Sequence, residues 1–280
     1  ELSNMSKKYQ GQFDITLENI NNETVITKKS FGGLIKISPR MHLDSEKISA
    51  YFIVGLGGGY VEGENYIFKI DMKRDCRAII TTQASTKVYK CENGDNISQE
   101  THIKLEDNSV LEYVTDNVIL YKDAEYKQEN TIYMDKNSTL IYTDGITSGW
   151  SADGLKFQYK KVQLKTNIYL ENKLVLLDNL LVNPQEDDVS GLGYFEGYEN
   201  FGTLIVIRKD ITTDIVEKLR NILKELDLDI CWGISKIETD GFVLRVLGNL
   251  TQDITSAIDL CHNYIRREFL GSKELSIRKY

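Results

Sequence analysis

The stretch "TTQASTKVYK", residues 81–90, concentrates hydroxyls and amines directly behind the apolar run Ala78-Ile79-Ile80. Ser85 and Lys87 stand two apart, so on an extended strand they share a face, and a Ser-Lys pair of that kind can supply a nucleophile with its base. Such a pair also needs an oxyanion hole and a lysine of depressed pKa, and the sequence offers neither. Hydroxyls that follow a strand more often satisfy turns and sheet edges.

A second chemical candidate is the glycine run "GLGGGYVEGEN" from Gly55 to Asn65. No frame of it gives the dinucleotide fingerprint, because Tyr60 or Glu62 stands where the third glycine belongs. Gly58 and Gly63 have the spacing of a P-loop, but Glu64 and Asn65 replace its Lys and Ser/Thr, and a carboxylate there repels phosphate. The run therefore reads as a close-packed turn between strands. His42, His102 and His262 do not cluster, and Cys261 lies on an apolar stripe, as a core thiol does. Cys76, Cys91, Cys231 and Cys261 form neither a C-x-x-C pair nor a disulfide framework, so no permanent metal site of the His/Cys kind is expected. Abundant carboxylates leave room for a weak, transient divalent-ion site.

These residues need elements to hold them. Phe13, Ile15 and Leu17 alternate with Asp14, Thr16 and Glu18, and Tyr66, Phe68 and Ile70 with Lys69 and Asp71, which predicts strands with one buried face. Four stretches, "IDMKRDCRAIITTQ", "KLEDNSVLEYVTDN", "YMDKNSTLIYTDGI" and "YLENKLVLLDNLLV", each run strand, acidic or Asn-containing turn, strand. They recur about every 30 to 35 residues, the period of a solenoid, although any large antiparallel sheet also alternates in this way. Asn183 to Gly202 reads as a long connection. Beyond it come a strand at Leu204–Ile207, a helix with Ile215, Val216, Leu219, Ile222, Leu223 and Leu226 at helical spacing, strands near 230–237 and 242–247, and a last helix stopping near Gly271. Asp214 and Glu217 suggest a capping box for the first helix. The expected fold is mainly β: one unit over 1–280, with a superhelical, solenoid-like body of many short strands over 10–185. A strand-helix-strand-strand-helix part with two helices follows over 200–280.

The 280 residues carry a formal charge of -8 with a pI near 5.1, which opposes binding to a phosphate backbone, so nucleic acid is not an expected partner. The opening "ELSNMSKKYQ" has no apolar core of a signal peptide, though it begins without Met, and the longest uncharged run, 48–61, is too short to span a bilayer as a helix. A cytoplasmic location and no membrane partner are expected.

The segments "FIVGLGGGYVEGENY", "IITTQASTKVYK", "YVTDNVILYKDAEYKQ" and "IYTDGITSGWSADGLKFQY" fall in the order and spacing of the urease accessory protein UreD family, also called UreH. The resemblance runs from Gly11-Gln12 to the closing "ELSIRKY". It implies a non-enzymatic scaffold that binds UreF, through it the nickel-carrying GTPase UreG, and docks on apo-urease. No permanent cofactor is implied, only nickel in transit along an internal polar tunnel. On this reading Gln83, Thr86, Lys87 and Tyr89 form a polar seam with Gly57, Gly58, Gly59, Gly63 and Glu64, in which Lys87 pairs with Glu64, and Glu64 and Asp144 contact the ion. The chain departs from the family where Glu64 replaces a common Asp, where Asp144 replaces a frequent Glu, and where proline is absent near Asn117 and Ser148. Those departures weaken a residue-level transfer of the ion path. Two other classes stay open: a β-solenoid enzyme acting on acidic polysaccharide with paired carboxylates, and a general protein-binding module using its helical part.

Overall fold

The computed structural model describes residues 8–43 and 46–277. Residues 1–7 of the amino-terminal stretch and the last three residues of "ELSIRKY" lie outside them.

Alternation builds strands as the pattern predicts. Phe13, Ile15 and Leu17 are buried on β1 (Gly11–Ile20), and Asn21 and Asn22, both at positive φ, turn it into β2 (Glu23–Gly33). That two-residue turn has the twist a hairpin needs. Three strands then enter a second sheet: β3 (Ile35–Ile37), β4 (Met41–His42) and β5 (Ser49–Gly55). From β5 the chain winds between the two sheets. β6 (Asn65–Met72), β9 (Ile97–Leu105), β12 (Glu125–Met134) and β14 (Lys161–Leu170) join the first. β7 (Arg77–Thr82), β10 (Val110–Val114) and β13 (Thr139–Thr147) join the second, and two short strands, β8 (Lys87–Val88) and β11 (Ile119–Leu120), pair with each other.

The coils are β5-β6, β7-β9, β10-β12 and β13-β14, and neighbours within each sheet are parallel and in register. Like side chains therefore stack: Ile15, Ile70, Ile103, Ile132 and Ile168 form one ladder, all buried. The first three repeated stretches are the corners that carry the chain from one sheet to the other. The fourth is not a corner. Glu171 and Asn172, at positive φ, fold it back as a hairpin, so β15 (Lys173–Val182) closes the first sheet antiparallel.

Turns occupy most of 183–199, and the chain then extends the second sheet with β16 (Asn200–Ile207), β17 (Ile230–Lys236) and β18 (Gly241–Gly248), in the order β13-β16-β18-β17. The helices α1 (Thr213–Lys224) and α2 (Thr251–Leu270) cover the outer face of that extension. Val216, Leu219 and Leu223 of α1 and Ile254, Ile258, Cys261 and Ile265 of α2 pack with Leu204, Val206, Phe242, Leu244 and Val246. The capping box does not form: the N-cap of α1 is Thr212, no side chain caps it, and Asp214 lies inside the first turn, where its charge favours the helix dipole. Gly271, at φ 59, ends α2 as expected.

One buried charge cluster fastens α2 to the coils. Glu112 replaces an apolar residue in the outer-face ladder of Ala50, Ile79 and Ile141, and its side chain is wholly buried. Arg266, also wholly buried, donates from Nη1 to both of its oxygens; His262 Nε2 stands 2.7 Å away and Arg77 Nη2 3.6 Å away. Burial drives the Glu112 pKa up, but the hydrogen bond and charge of His262 and then Arg266 outweigh it and hold the carboxyl at about 2. A carboxylate lowered from 4.5 stabilises the fold above its unfolded value, and that contribution is lost as pH falls from about 4.5 through about 2. Arg266→Met, which leaves Glu112 short of a partner in the interior, should cost ~3–5 kcal/mol in urea unfolding. The double change Glu112→Leu with Arg266→Met should recover most of that loss and show a shallower acid transition than the parent.

Candidate functional site

The glycine run is the turn between β5 and β6, and it lies against β8. A Cβ on Gly59 would stand 2.6 Å from the Lys87 carbonyl oxygen and 2.8 Å from the Tyr89 ring, so only glycine admits this approach. The Tyr89 hydroxyl donates to the Gly58 carbonyl at 2.9 Å, and opposite Val88 the Tyr60 amide donates to the Lys87 carbonyl at 2.8 Å while the Tyr60 carbonyl accepts from the Tyr89 amide at 2.9 Å. Gly63, at φ 77, completes the turn before Glu64. The two motifs recognised in the sequence are thus neighbours in space.

The expected pairing of Lys87 with Glu64 is not made. Lys87 is exposed, with no carboxylate partner among the described residues, whereas Glu64 accepts from the Val61 amide at 2.8 Å and from the Tyr66 hydroxyl at 2.5 Å. Glu64 is held inside its own turn, three residues from one partner and two from the other, so its reach is spent locally. No hydrogen bond joins Ser85 to Lys87, and no group of three His, Cys, Asp or Glu residues suited to a metal ion occurs among the described residues.

Two cavities fill the space beside these turns. The first, of about 320 Å³, is lined by Gly57, Gly58, Gly59, Gln83, Thr86 and Lys87, with Tyr60, Tyr66, Tyr113, Gln99 and Gln128 deeper in. Gln83 and Lys87 are exposed and stand at its rim. The second, of about 430 Å³, holds Asp144, Asp259, His262, Thr143, Thr147 and Thr255 and is closed on one side by Leu275 and Ile277. Ser85, Thr115 and Asp116 line both. At this shared wall the Thr82 hydroxyl donates to Asp116 Oδ2 at 3.0 Å. Glu64 lines neither cavity and reaches the first only through Tyr66. Glu64 and Asp144 are therefore not brought together, and Tyr89 turns away from the first cavity to meet Tyr121 edge-on at 4.8 Å.

The interior between the sheets is hydroxyl and amide rather than purely apolar at this end. Tyr60 donates to Gln99 at 2.9 Å and Tyr126 to Gln128 at 3.1 Å; Asn130 donates to Tyr142 at 2.8 Å and to Thr166 at 3.0 Å. Tyr142 in turn donates to Asp144 at 2.9 Å. Each is buried, and each finds a partner, as an interior polar group must. This ladder escaped the sequence reading, and so did Asp116 and the Glu112 cluster. Its signal was present: Gln99, Thr101, Gln128 and Asn130 occupy the same alternation parity as Ile97, Ile103, Tyr126 and Ile132, so polar residues stand on the inward face.

Asp144 has the most altered environment of the expected ion contacts. Burial first, then the charge of Asp178, push its carboxyl up to about 7, against the Tyr142 hydrogen bond and the Arg245 charge that pull it down. A carboxyl that exchanges a proton near neutrality can accept a cation in place of that proton. Thr143, Thr147, Thr255 and Asp259 bring oxygens to this chamber beside the His262 imidazole and the apolar Ile254 and Ile258, and oxygen ligands suit a divalent ion that must leave again.

The sequence model of the family described as "UreD urease accessory protein" matches residues 9–279. A Streptococcus thermophilus protein named "Urease accessory protein UreD" is 40% identical over 275 residues, covering 98% of each chain. Proteins of the same name from Ureaplasma urealyticum and Lachnoclostridium phytofermentans are 41% identical over 253 residues, covering 89% and 88%, and 34% identical over 272 residues, covering 97% and 99%.

The Asp144 environment fixes a pH dependence. The folded state keeps its proton up to about 7 while the unfolded chain loses it near 3.8, so stability falls as pH rises across that interval and levels off above it. Asp144→Asn, which can still accept from Tyr142, should remove that slope and raise unfolding free energy at pH 8 by roughly 2–4 kcal/mol. Urea titrations at pH 5 and pH 8 measure both effects.

Proposed function

The chain belongs to the UreD family of urease accessory proteins, and from that membership we propose that it is a maturation scaffold which, with UreF and through it UreG, docks on apo-urease and assists insertion of nickel. Nickel is cargo here, passed to another protein rather than retained. The observation that carries this reading is the pair of partly polar cavities that share Ser85, Thr115 and Asp116 in their lining, with Asp144 in the far chamber. A route of hydroxyls, amides and carboxylates releases a divalent ion more readily than a thiolate cage does.

The residues present fit that cargo unevenly. Asp144 and Asp116 face the chambers, so both are proposed ion contacts, with Asp116 replacing Glu64 in that role. Glu64 supports the Tyr66 and Tyr60 stack, whose centroids lie 3.6 Å apart, and so shapes the first chamber from behind. The chain is proposed to act without turnover, in the cytoplasm. No helix among the described residues is long and apolar enough to cross a membrane.

In cells limited for nickel, Asp144→Asn combined with Asp116→Asn should lower urease activity and urease-bound nickel by about tenfold or more, while the protein still co-purifies with UreF and urease subunits. Full activation by the double variant would remove the ion path; failure of the parent protein to co-purify with those partners would remove the scaffold role.

A further inference from the structure

The two sheets end unequally. After the last coil the first sheet gains β15 alone, whereas the second gains β16, β18 and β17, so it overhangs by two strands. α1 and α2 cover the outer face of the overhang, while on its inner face β15 reaches β18 through the Asp178–Arg245 ion pair and leaves open space to either side of it. The result is a notch: one wall is the unpaired edge of β15, and the floor is the inner face of β17 and β18. It holds a cavity of about 500 Å³ beside Val175, Leu177, Gly233, Ser235 and Val243, and a second of about 280 Å³ beside Leu181, Tyr194 and Leu247. Asp178 and Arg245, an ion pair, line both, so the notch follows β15 for most of its length.

We propose that this notch receives an extended segment of a partner protein, apolar at alternate positions and flanked by basic residues, which pairs with β15 as a further strand of the first sheet. Four observations select that occupant, and none depends on the nickel route. An unpaired edge offers backbone donors and acceptors that an extended chain satisfies and a helix does not. Leu177 and Leu181, on one face with Asn179 between them, are 57% and 44% exposed beside it and offer apolar contacts to such a segment. The floor is low: a Cβ on Gly233 would meet nothing within 4 Å, which leaves room for an incoming strand. The adjoining connection, 183–199, carries five acids and no basic residue, so the segment's flanks should be positive.

The other ends of the sheets differ in the way that matters. The opposite edge strand of the first sheet, β2, is blunted by Lys28 and Lys29, and the edge of β17 carries Lys236. β15 has its lysine at its first residue, Lys173, and from Val175 to Val182 it has neither Lys nor Pro, the usual guards of a free edge. Two copies pairing β15 to β15 would set their acidic connections against each other. A copy offering β2 instead would make a head-to-tail contact that does not close. A partner chain satisfies the edge without either penalty.

The test uses the full chain and a fluorescein-labelled peptide of about ten residues, alternating Val or Ile with Thr between lysine pairs. Saturable binding that weakens with salt is expected, together with slowed amide exchange over 174–182. Gly233→Leu, which fills the notch, and Leu177→Lys, at an exposed position, should each weaken binding about tenfold while leaving thermal unfolding unchanged. A peptide ending in glutamates should bind more weakly. The proposal is overturned by absent or non-saturable binding, by binding that both variants leave intact, or by protection confined to α1 and α2. Self-association of the free chain that the same variants abolish would assign the edge to a second copy and overturn it as well.

Discussion

Parallel, in-register stacking is the constraint on which this protein depends. Once coil follows coil with no slip, each side chain lies on its counterpart in the next coil, and a choice made at one position is repeated or answered at that height throughout the body. The isoleucine ladder is the repeated case. The row of Tyr66, Gln99, Gln128 and Leu164 is the answered one: Gln99 accepts from Tyr60 of the preceding coil, Tyr66 and Gln128 find Glu64 and Tyr126 on their own segments, and one row on Asn130 donates to Thr166 of the next coil. A polar interior is therefore a property of adjacent coils together, and both chambers lie beside it.

The same stacking explains the buried charge. Glu112 occupies a height where the coils above and below offer Ile79 and Ile141, and the β body brings it Arg77 at 3.6 Å. Its closest partners come from α2, some 150 residues later in the chain. Hydrophobic packing alone would let a helix slide across a flat sheet face; a fixed carboxylate facing a guanidinium and an imidazole sets where α2 must stop. His262, which separates this cluster from the second cavity, belongs to both.

Much of the fold was legible because it rests on local periodicity. Period-two alternation marked the strands, the acidic turns marked the coil corners, and Gly271 marked the end of α2. The fourth repeat misled because Glu171-Asn172 resembles a corner locally, while whether the chain crosses to the other sheet or doubles back depends on what it meets there. The neighbouring of the glycine run and the "TTQASTKVYK" stretch was also legible, from their joint occurrence in a family pattern. Lys87 with Glu64 failed because sequence gives no measure of competition: the Val61 amide and the Tyr66 hydroxyl are closer claimants to that carboxylate. Asp116 and Glu112 were hidden for the converse reason, since their partners are supplied by strands and a helix far away in sequence.

Asp178 pairs with Arg245 in the notch, on the inward face that Arg245 shares through Thr203 with Asp144, and Asp144 feels both charges, one raising and the other lowering its proton affinity. The pair couples the notch to the neighbouring carboxyl. Whatever draws Arg245 away from Asp178 makes Asp144 hold its proton more tightly, and whatever neutralises Asp178 makes Asp144 easier to ionise. Reciprocity then requires that the charge state of Asp144 alter in turn how firmly Asp178 and Arg245 hold each other, with no strand having to move.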